Sequence, residues 1–377
     1  MRKVHITLVG GQPAPVYLGI KEDGQANTVV LICSQQSREE AERIKAQFPK
    51  RNIILRECHP VALQEIEALA DGLYEEFADY EKVVNLTSGT KLWSLTFFRV
   101  FYQSEHSHFI YIDQNNCITD ILTKKTHEGR IDTLKRFELY GTPLTTFRLL
   151  DEYDEDDVRA AREIELIRKV NRGEFHQLTV KEDSLDMKDW ISKSTENGST
   201  LEYSVSEKRA KIRILTYSEK CIKKEICCRH LPELLFNYGW FELKTALELR
   251  KNERIGNVWL NCSFTDSEGN PKNEIDIIAE LDNRLLFVEC KTMIRDTTDI
   301  DKFSSALRNF SGTSSKGIFV TNDIPTPKSR PRYDHAMEKC KDNGILTYNF
   351  SLWKNNPCKI PSLNAVISEQ LKFQNKR

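Results

Sequence analysis

The stretch over 273–292 constrains the fold more than any other, because it reads as two apolar strands joined by a tight turn. Asp282 and Asn283 tolerate the left-handed backbone that such a turn needs. With these two residues as the turn, Asp276 falls opposite Glu289, since both lie the same number of residues from it. Directly opposed side chains hold their Cβ atoms roughly 4.5–5.5 Å apart. The sequence therefore predicts a β-hairpin that holds two carboxylates side by side.

Both faces of the second strand are apolar, which predicts that the hairpin is buried. Leu285 and Phe287 share a face with Glu289, and the opposite face is apolar as well. Lys291 lies two residues beyond Glu289, so strand alternation places its ammonium on the same face as the carboxylates. Buried charges need partners or a metal ion, and Mg²⁺ and Mn²⁺ prefer oxygen ligands. The residues alone leave two interpretations open, a metal site and a structural ion-pair cluster.

The same residues resemble the motif of the PD-(D/E)xK nuclease superfamily. Asp276 matches the aspartate of that motif, and Glu289-Cys290-Lys291 matches its (D/E)xK part. The resemblance implies a restriction-endonuclease-like α/β domain in which Asp276, Glu289 and the backbone carbonyl of Cys290 bind Mg²⁺ or Mn²⁺. It also implies four catalytic residues, Glu242, Asp276, Glu289 and Lys291, with Lys291 orienting a metal-bound water.

Glu242 belongs to a predicted helix that begins around Leu231. The segment Gly239-Trp240-Phe241-Glu242 resembles the first helix of the nuclease superfamily, whose glutamate reaches the metal site. Gly239 precedes Glu242 by three residues and so lies under its side chain on the helix face. Two interpretations of this glycine remain: it leaves room for a metal ion or a phosphate, or it only allows close packing.

Composition indicates an ordinary soluble protein. The chain of 377 residues predicts two to three domains, and 39% hydrophobic with 29% charged residues suits globular domains. The formal net charge of −1 means that nucleic-acid binding would need a local basic surface. Several of the 10 cysteines sit in apolar runs, as in a reducing cytosol, and no apolar run approaches the length of a membrane span. We expect a cytoplasmic protein with no membrane partner.

The first 150 residues alternate short apolar strands with helices. This alternation predicts a Rossmann-like α/β domain with a parallel core. In such a sheet, ligands bind at the carboxyl ends of the strands. The predicted strands are Val4–Val9, Thr28–Ser34, Ile53–Leu55, Lys82–Leu86, Phe109–Ile112 and Ile118–Leu122.

Two loops at the carboxyl ends of these strands have the composition of an anion site. One is Gly10-Gly11-Gln12, and the other runs from Asn85 to Lys91, just before a helix. Small hydroxylated residues, a glycine and a lysine at a helix N-terminus can present backbone N–H groups to an anion. A plain helix cap uses the same residue types. The residues alone leave both interpretations open.

The second loop resembles the signature of CARF domains, the CRISPR-associated Rossmann fold. The matching residues are Asn85-Leu86-Thr87-Ser88-Gly89-Thr90-Lys91. The resemblance implies a homodimer that binds a cyclic oligoadenylate, in particular cyclic tetra-adenylate, across its two-fold axis. Ser88 departs from the family, which commonly has a second glycine there, and its hydroxyl would add a ligand contact or narrow which ring fits. The implied ligand contacts are Gly10, Gly11, Gln12, Thr87, Ser88, Gly89, Thr90 and Lys91.

Three regions are therefore predicted along the chain. Residues 1–150 form the Rossmann-like CARF domain, 151–224 a small connecting module that resembles a winged helix, and 225–377 the PD-(D/E)xK domain. The connecting module contains a basic segment from Lys208 to Arg213. This segment either touches a phosphate backbone or, as is more common, forms a solvated face.

The order of the two motifs resembles that of the two-domain ancillary nucleases of type III CRISPR systems. The resemblance implies a metal-dependent endonuclease, activated by cyclic tetra-adenylate, that cuts DNA, RNA or both in antiviral defence. Two alternatives stay open: a restriction- or repair-type DNase without this gating, and a non-catalytic, ligand-responsive regulator that binds nucleic acid. Metal-dependent cleavage separates the regulator from the nucleases, and ligand dependence separates the two nucleases from each other.

Overall fold

The computed structural model describes residues 2–180, 190–218, 220–265, 269–282, 284–294, 296–310 and 315–371. Within these ranges the strands form three sheets, with seven, four and six strands. The first sheet comes from the N-terminal part of the chain, the second from the middle and the third mainly from the C-terminal part. Among the described helices, none has the length and apolar character needed to cross a membrane.

The first sheet has a parallel core of five strands, followed by two antiparallel strands. Its strands are β1 (Arg2–Leu8), β2 (Thr28–Cys33), β3 (Asn52–Glu57), β4 (Tyr80–Asn85), β5 (Ser107–Ile112), β6 (Cys117–Asp120) and β7 (Thr126–Glu128). They lie in the order β3-β2-β1-β4-β5-β6-β7. The helices of this part are α1 (Pro13–Glu22), α2 (Arg38–Ala46), α3 (Leu63–Glu76), α4 (Lys91–Phe101) and α5 (Thr133–Leu139), and a 3₁₀ helix covers Gln35–Ser37. The predicted Rossmann-like arrangement is confirmed.

The central strands of this sheet are apolar on both faces, so both faces are covered. On β2, Val30 and Ile32 belong to the core on one face, whereas Val29 and Leu31 belong to the core on the other. Such near-continuous apolar runs are typical of parallel strands. Because β1 pairs with both β2 and β4, the carboxyl ends of β1 and β4 lie side by side where the strand order reverses. Ligands of doubly wound sheets bind at such a point.

The strand after α5 leaves the first sheet. This strand, β8 (Leu144–Leu149), pairs antiparallel with a strand of the third sheet, and a 3₁₀ helix over Leu150–Glu152 follows it. The predicted boundary at residue 150 assigns this strand to the N-terminal domain, whereas its pairing joins it to the third sheet. The local sequence pattern does not predict this pairing, because the partner strand lies far along the chain.

Two helices and a four-stranded meander form the middle of the chain. The elements are α6 (Glu155–Val170), α7 (Arg172–Thr179), β9 (Trp190–Ser194), β10 (Thr200–Ser204), β11 (Arg209–Leu215) and β12 (Cys221–Cys227). Neighbouring strands of the meander pair antiparallel. The predicted winged-helix-like module corresponds, in the described residues, to these two helices and the meander. Burial alternates along β11, so the meander covers one face and exposes the other.

The basic residues of the meander lie on its exposed face among acids. Arg209 forms ion pairs with Glu207 and Glu225. Lys211 stands directly opposite Glu202 on one side and Glu225 on the other. Arg209 and Lys211 are thus accompanied by carboxylates, as on a solvated face, whereas Arg213 stands opposite another cation, Lys223.

The third sheet has six strands of mixed direction. Its elements besides β8 are α8 (Leu231–Phe236), α9 (Gly239–Leu249), β13 (Ile255–Thr265), β14 (Pro271–Leu281), β15 (Arg284–Lys291), α10 (Thr298–Phe310), β16 (Lys316–Thr321), α11 (Arg330–Asp342), β17 (Leu346–Asn349), α12 (Phe350–Asn355) and α13 (Leu363–Gln370). The strand order is β17-β16-β15-β14-β13-β8. The strands from β8 to β15 pair antiparallel, and β15, β16 and β17 pair parallel.

Hydrophobic cores lie on both faces of the third sheet. One core contains buried residues of α6, α8, α9 and α13, and the other contains buried residues of α10 and α11. The covered face of the meander joins the first of these cores through residues such as Tyr203 and Ile212. The middle region and the third sheet therefore share one core and are built as one unit.

A buried carboxylate on α6 holds three helices together. Glu165 Oε1 accepts hydrogen bonds from Lys244 of α9 and from Lys354 of α12, both at 2.9 Å, and pairs with Lys169 of α6 at 2.8 Å. Burial raises the pKa of Glu165, but the three ammonium groups outweigh burial and lower the pKa to about 2. The ionised carboxylate therefore stabilises the folded state.

The substitution Glu165→Gln should lower the free energy of unfolding by about 2 kcal/mol at pH 7, because it removes this charge. The folded-state pKa lies below the ordinary value of 4.5, so the stabilisation is present above pH 4.5 and is lost as the pH falls towards 2. Urea unfolding at a series of pH values should show the difference between wild type and variant shrinking over that range. The control is Glu105→Gln, at an exposed position. A pH-independent difference, or an equal loss in the control, would contradict this account.

Candidate functional site

The predicted hairpin has the predicted register. β14 and β15 pair antiparallel as far as Ile277 opposite Val288, and one further step places Asp276 opposite Glu289. The strands are still adjacent there, because the backbone N–H of Cys290 donates to Asp276 Oδ2 at 2.6 Å. The two carboxylates thus lie side by side at the end of the ladder.

The turn and the faces of the hairpin also follow the prediction. Asp282 has the left-handed φ of +55° expected for the turn, and Asn283 lies outside the described residues. Leu285 and Phe287 belong to the core on one face of the sheet, and the alternate residues of β15 belong to the core on the other. The acids therefore lie at the end of a strand that is buried on both faces.

Lys291 joins the two acids in one charged cluster, with its Nζ 2.6 Å from Glu289 Oε1. Burial raises the pKa of Glu289, and the charge of Asp276 raises it further, to about 8. Burial also raises the pKa of Asp276, against the opposing effects of Lys291 and the Cys290 N–H. Burial alone would lower the pKa of Lys291, but Asp276 and Glu289 raise it above its ordinary value. The cluster therefore combines a lysine whose charged form is favoured with two acids whose charged forms burial disfavours.

Glu242 is brought to this cluster by α9. Burial raises the pKa of Glu242 well above its usual value, and the charge of Asp276 raises it further. Among the described residues, Glu242 Oε2 is buried without a hydrogen-bond partner. An unsatisfied buried polar atom is costly, so this oxygen indicates a place where a bound group could supply the missing interaction.

The predicted single helix is broken just before Glu242. α8 ends at Phe236 and α9 begins at Gly239, with Tyr238 between them at a φ of +60°. A Cβ on Gly239 would lie 2.9 Å from the backbone carbonyl oxygen of Glu233. Of the two interpretations of Gly239, close packing of two helices is the one the structure supports, and space for a metal ion beside Glu242 is not.

A cavity of about 760 Å³ opens onto the cluster. Glu242, Asp276 and Lys291 line it together with two acids that were not predicted, Glu274 and Asp299. Glu274 lies two residues before Asp276, so strand alternation could have identified it. Asp299 raises the pKa values of Asp276 and Lys291, but it comes from α10, and only the tertiary fold brings it here.

His176 and Tyr238 line the same cavity and were not predicted either. Nδ1 of His176 lies 2.6 Å from the Tyr238 hydroxyl, and the two rings stack with their centroids 6.3 Å apart. A positive φ is uncommon for a bulky residue such as Tyr238, and backbone strain of this kind collects at functional sites. The only sequence signal for Tyr238 was its position beside Gly239.

The donor atoms of the cluster suit a hard divalent cation. Carboxylate oxygens are the ligands that Mg²⁺ and Mn²⁺ prefer, and the unsatisfied oxygen of Glu242 adds to them. Within the described ranges, no group of three Asp, Glu, His or Cys side chains is arranged to hold a metal ion. Asp276 and Glu289 instead bond to the Cys290 N–H and to Lys291. The residue types fit a cation, and their present arrangement is an ion-pair cluster.

The two N-terminal loops meet at the carboxyl ends of β1 and β4. The backbone N–H of Gly10 donates to Ser88 Oγ at 3.1 Å, and this hydroxyl donates to the carbonyl of Gln12 at 3.4 Å. A Cβ on Gly10 would lie 2.9 Å from the backbone nitrogen of Gly89, so the approach of the loops requires glycine. The buried Ser88 hydroxyl therefore joins the two loops.

The threonine hydroxyls of the second loop also serve the fold. Thr87 Oγ1 donates to Asn85 Oδ1 at 2.6 Å and accepts from the Ile112 N–H at 2.8 Å. Thr90 Oγ1 accepts from the Trp93 N–H at 3.2 Å and caps α4. The helix-cap interpretation is therefore right for Thr90, although it does not exclude a ligand at the same helix end.

The remaining residues of the two loops are open to a ligand. Gly11, Gly89 and Lys91 are exposed, and α1 and α4 both begin at these loops. The free N–H groups at a helix start attract anions, and α4 offers more of them than α1, because Pro13 and Pro15 of α1 have no N–H. Gln12 is half-buried, and its side-chain oxygen accepts from the Tyr140 hydroxyl at 2.7 Å. The structure thus brings the eight predicted ligand residues together and leaves an anion-attracting surface among them.

Comparisons with known proteins concern the N-terminal region and the overall fold. Residues 4–137 match the family model described as the Card1 CARF domain. A search of curated protein sequences found no match. The structure of Can2 from Sulfobacillus thermosulfidooxidans in complex with cyclic tetra-adenylate is similar, with a TM-score of 0.67 and 16% identity over 94% of this chain and 98% of that one. Protein VC1899 from Vibrio cholerae has a TM-score of 0.70 and 13% identity over 95% and 97%.

A type III CRISPR defence DNA nuclease activated by cyclic oligoadenylate is also similar in structure. Its TM-score is 0.54 at 16% identity, over 87% of this chain and 47% of that one. The family match shows a CARF domain in the N-terminal part of the chain. The similarity to Can2 and VC1899 is one of fold, and it extends over nearly the whole chain.

The substitution Gly239→Ala should lower the free energy of unfolding by about 1–3 kcal/mol, because the new Cβ would press on a backbone carbonyl that cannot easily move. Urea unfolding measures the loss. Gly72→Ala is the matched control, since Gly72 lies on the exposed face of α3 and a Cβ there meets nothing within 4 Å. Alanine should stabilise that helix by up to about 1 kcal/mol. Equal effects of the two substitutions would contradict the packing role of Gly239.

Proposed function

We propose that the chain is a metal-dependent endonuclease that cyclic tetra-adenylate activates, and that it acts in type III CRISPR defence. One observation carries the proposal: a buried cluster of Asp276, Glu289 and Lys291 opens onto a cavity in a chain that also has a CARF domain. The element order α9, β13, β14, β15, α10, β16 around the hairpin supports a PD-(D/E)xK fold for the C-terminal region.

The acids of the cluster are the proposed metal ligands. Asp276, Glu289 and the backbone carbonyl of Cys290 would hold Mg²⁺ or Mn²⁺, and Glu242 would hold a second ion or a coordinating water. A bound cation of this kind lowers the pKa of water and neutralises charge on a phosphate. The raised pKa values of Glu242 and Glu289 support such a role, because a cation would favour the ionised forms that burial now disfavours.

Lys291 is the proposed stabiliser of the negative charge that develops on the scissile phosphate. Its pKa is raised, so it carries its proton throughout the neutral range. It lines the cavity, where a phosphate could reach it, and its ion pair with Glu289 holds it in place. Fixed charges in a water-poor site stabilise a developing charge more strongly than mobile ones. DNA and RNA share the phosphodiester, and DNA is favoured because a DNA nuclease is among the similar structures.

The two N-terminal loops are the proposed ligand site. Gly10 to Gln12 and Thr87 to Lys91 lie where α1 and α4 begin, and the free N–H groups at a helix start attract phosphates. Cyclic tetra-adenylate is the proposed ligand because Can2, which is similar over most of the chain, is described in complex with it. A ring with two-fold symmetry suits a homodimer that presents the same loops twice.

Helix α5 connects the ligand loops to the hairpin. The Tyr140 hydroxyl, just after α5, donates to Gln12 Oε1 at 2.7 Å. Phe137 of α5 is fully buried in the core of the third sheet, with its ring centroid 6.3 Å from that of Phe287. Phe287 precedes Glu289 by two residues and lies on the same face of β15. Contacts therefore lead from one ligand loop to the catalytic strand through a single short helix.

Both ends of α5 are anchored. Its first residue, Thr133, donates to Glu280 Oε1 of β14 at 2.7 Å, and Arg43 of α2 donates to the carbonyl of Leu139 at 3.0 Å. A ligand shifts a conformational equilibrium only if it binds one state better than the other. A movement of Gln12 on ligand binding would change its hydrogen bond to Tyr140 and so the position of α5. The ligand would then bind one arrangement of α5 more tightly than the other.

Asp276→Asn and Lys291→Ala should each lower cleavage at least about 100-fold, because the first removes a proposed metal ligand and the second removes the cation beside the phosphate. The assay follows labelled single-stranded DNA, plasmid and single-stranded RNA with Mn²⁺, with and without cyclic tetra-adenylate. Ligand binding by calorimetry should be unchanged, and Lys341→Ala, at an exposed position, is the control. Wild-type cleavage by either variant would refute the catalytic assignment. Cleavage without ligand would indicate a restriction- or repair-type DNase, and no cleavage at all a regulator.

Tyr140→Phe should leave ligand binding within about threefold of wild type and lower activation by the ligand at least about fivefold. The variant keeps the ring and removes only the hydroxyl that bonds Gln12. The measurements are the dissociation constant of cyclic tetra-adenylate and the ratio of cleavage rates with and without it. Tyr111→Phe is the control, since Tyr111 is an exposed tyrosine of the same domain. Full activation of the variant would contradict the role of α5, and so would a loss of binding that matches the loss of activation.

A further inference from the structure

A second cavity adjoins the one at the acidic cluster. Its volume is about 430 Å³, and it shares wall residues with the first: Phe236, Asn237, Asn261 and Glu274. The two cavities are therefore parts of one groove, and the second has no role in the metal or phosphate chemistry proposed above.

The charge of the second cavity is unfavourable for a phosphate. Glu233 and Glu274 both line it. Arg148 is the only cation among the described wall residues, and it is already paired with Glu233 at 3.2 Å. A phosphate oxygen entering this space would meet uncompensated carboxylate charge. An occupant is expected to be neutral and to offer hydrogen-bond donors to the acids.

The wall also offers aromatic faces and amides. Phe147, Phe236 and Tyr203 line the cavity, and the last two rings meet edge to face with centroids 5.2 Å apart. Asn237 and Asn261 supply amide groups at the border with the first cavity. Aromatic rings stack with the flat faces of nucleobases, and Asn and Glu side chains bond the amino groups of adenine and cytosine.

Asn261 fixes the border between the two cavities. In the register of β13 with β14 it stands opposite Asp276, and its φ is +52°, which a strand residue rarely adopts. Its Nδ2 donates to Glu233 Oε1 at 2.7 Å, and Glu233 is also held by the Tyr153 hydroxyl and by Arg148. The second cavity thus begins one residue pair away from a proposed metal ligand. That is close enough for one nucleotide to reach both sites.

We propose that the second cavity binds one nucleobase of the substrate strand, next to the phosphate that is cut, and prefers a base with an exocyclic amino group over thymine or uracil. This inference rests on the proposed nuclease function and adds a substrate preference to it. A base can enter the cavity only when it is neither paired nor stacked, so the subsite selects single-stranded nucleic acid or an end that opens.

The test uses the full chain with cyclic tetra-adenylate and labelled oligomers of deoxyadenosine, deoxycytidine and thymidine of equal length. Binding is measured by fluorescence anisotropy with Ca²⁺, and cleavage in parallel samples with Mn²⁺. Wild type should bind the adenine and cytosine oligomers at least about fivefold more tightly than the thymine oligomer. Asn237→Leu should bring this ratio close to one, because it replaces the exposed amide at the border with an apolar group of similar size. Asn355→Leu, on α12 and away from the groove, should keep the ratio.

The outcomes separate the subsite from the nuclease. Equal binding of the three oligomers by wild type, or an unchanged preference in Asn237→Leu, would overturn the subsite, and cleavage of the same oligomers would then leave the nuclease standing. Base-selective binding that Asn237→Leu removes supports the subsite. If the parallel samples with Mn²⁺ show no cleavage, the proposed nuclease fails, and the cavity stands as a base-selective binding site for nucleic acid.

Discussion

Repulsion between two carboxylates at the end of a buried hairpin is the constraint on which the C-terminal structure depends. Asp276 and Glu289 are side by side because strand pairing and a tight turn force them to be, and burial raises the pKa of both. Lys291 lies within salt-bridge distance of Glu289 and offsets part of the electrostatic repulsion between the two acids. A third buried acid, Glu242, lies close enough to add to this repulsion. It is carried by α9, which packs closely against α8 at Gly239. Several acids held this close together are a place where a bound cation would be strongly stabilised, and such clusters are common at functional sites.

The N-terminal site shows the opposite arrangement, in which polar groups are used up by the protein itself. The hydroxyls of Ser88, Thr87 and Thr90 all form hydrogen bonds within the loops or at the helix cap. What these bonds fix is the position of backbone N–H groups and of Lys91. Loops that are already held by such bonds lose less conformational entropy when another group binds to them.

Much of this was predictable because it depends on short-range periodicity. Alternation along β15 set which residues share a face with Glu289, and the turn at Asp282 set the register with β14. The alternation of apolar strands and helices identified the first sheet in the same way. The helix break at Tyr238 was missed, since a left-handed tyrosine has no sequence signature. Asp299 was missed because its place beside the hairpin depends on where α10 packs, and β8 because its partner strand is remote in the chain.

The course of β8 has a consequence for how the chain can be divided. An N-terminal fragment that ends near residue 150 would retain β8 without its partner, and a C-terminal fragment that begins there would leave the edge of β13 unpaired. Unpaired strand edges recruit other strands and lead to aggregation. The N-terminal and C-terminal regions therefore cannot be separated at residue 150 without exposing such an edge, whereas a cut before Leu144 would keep β8 with β13.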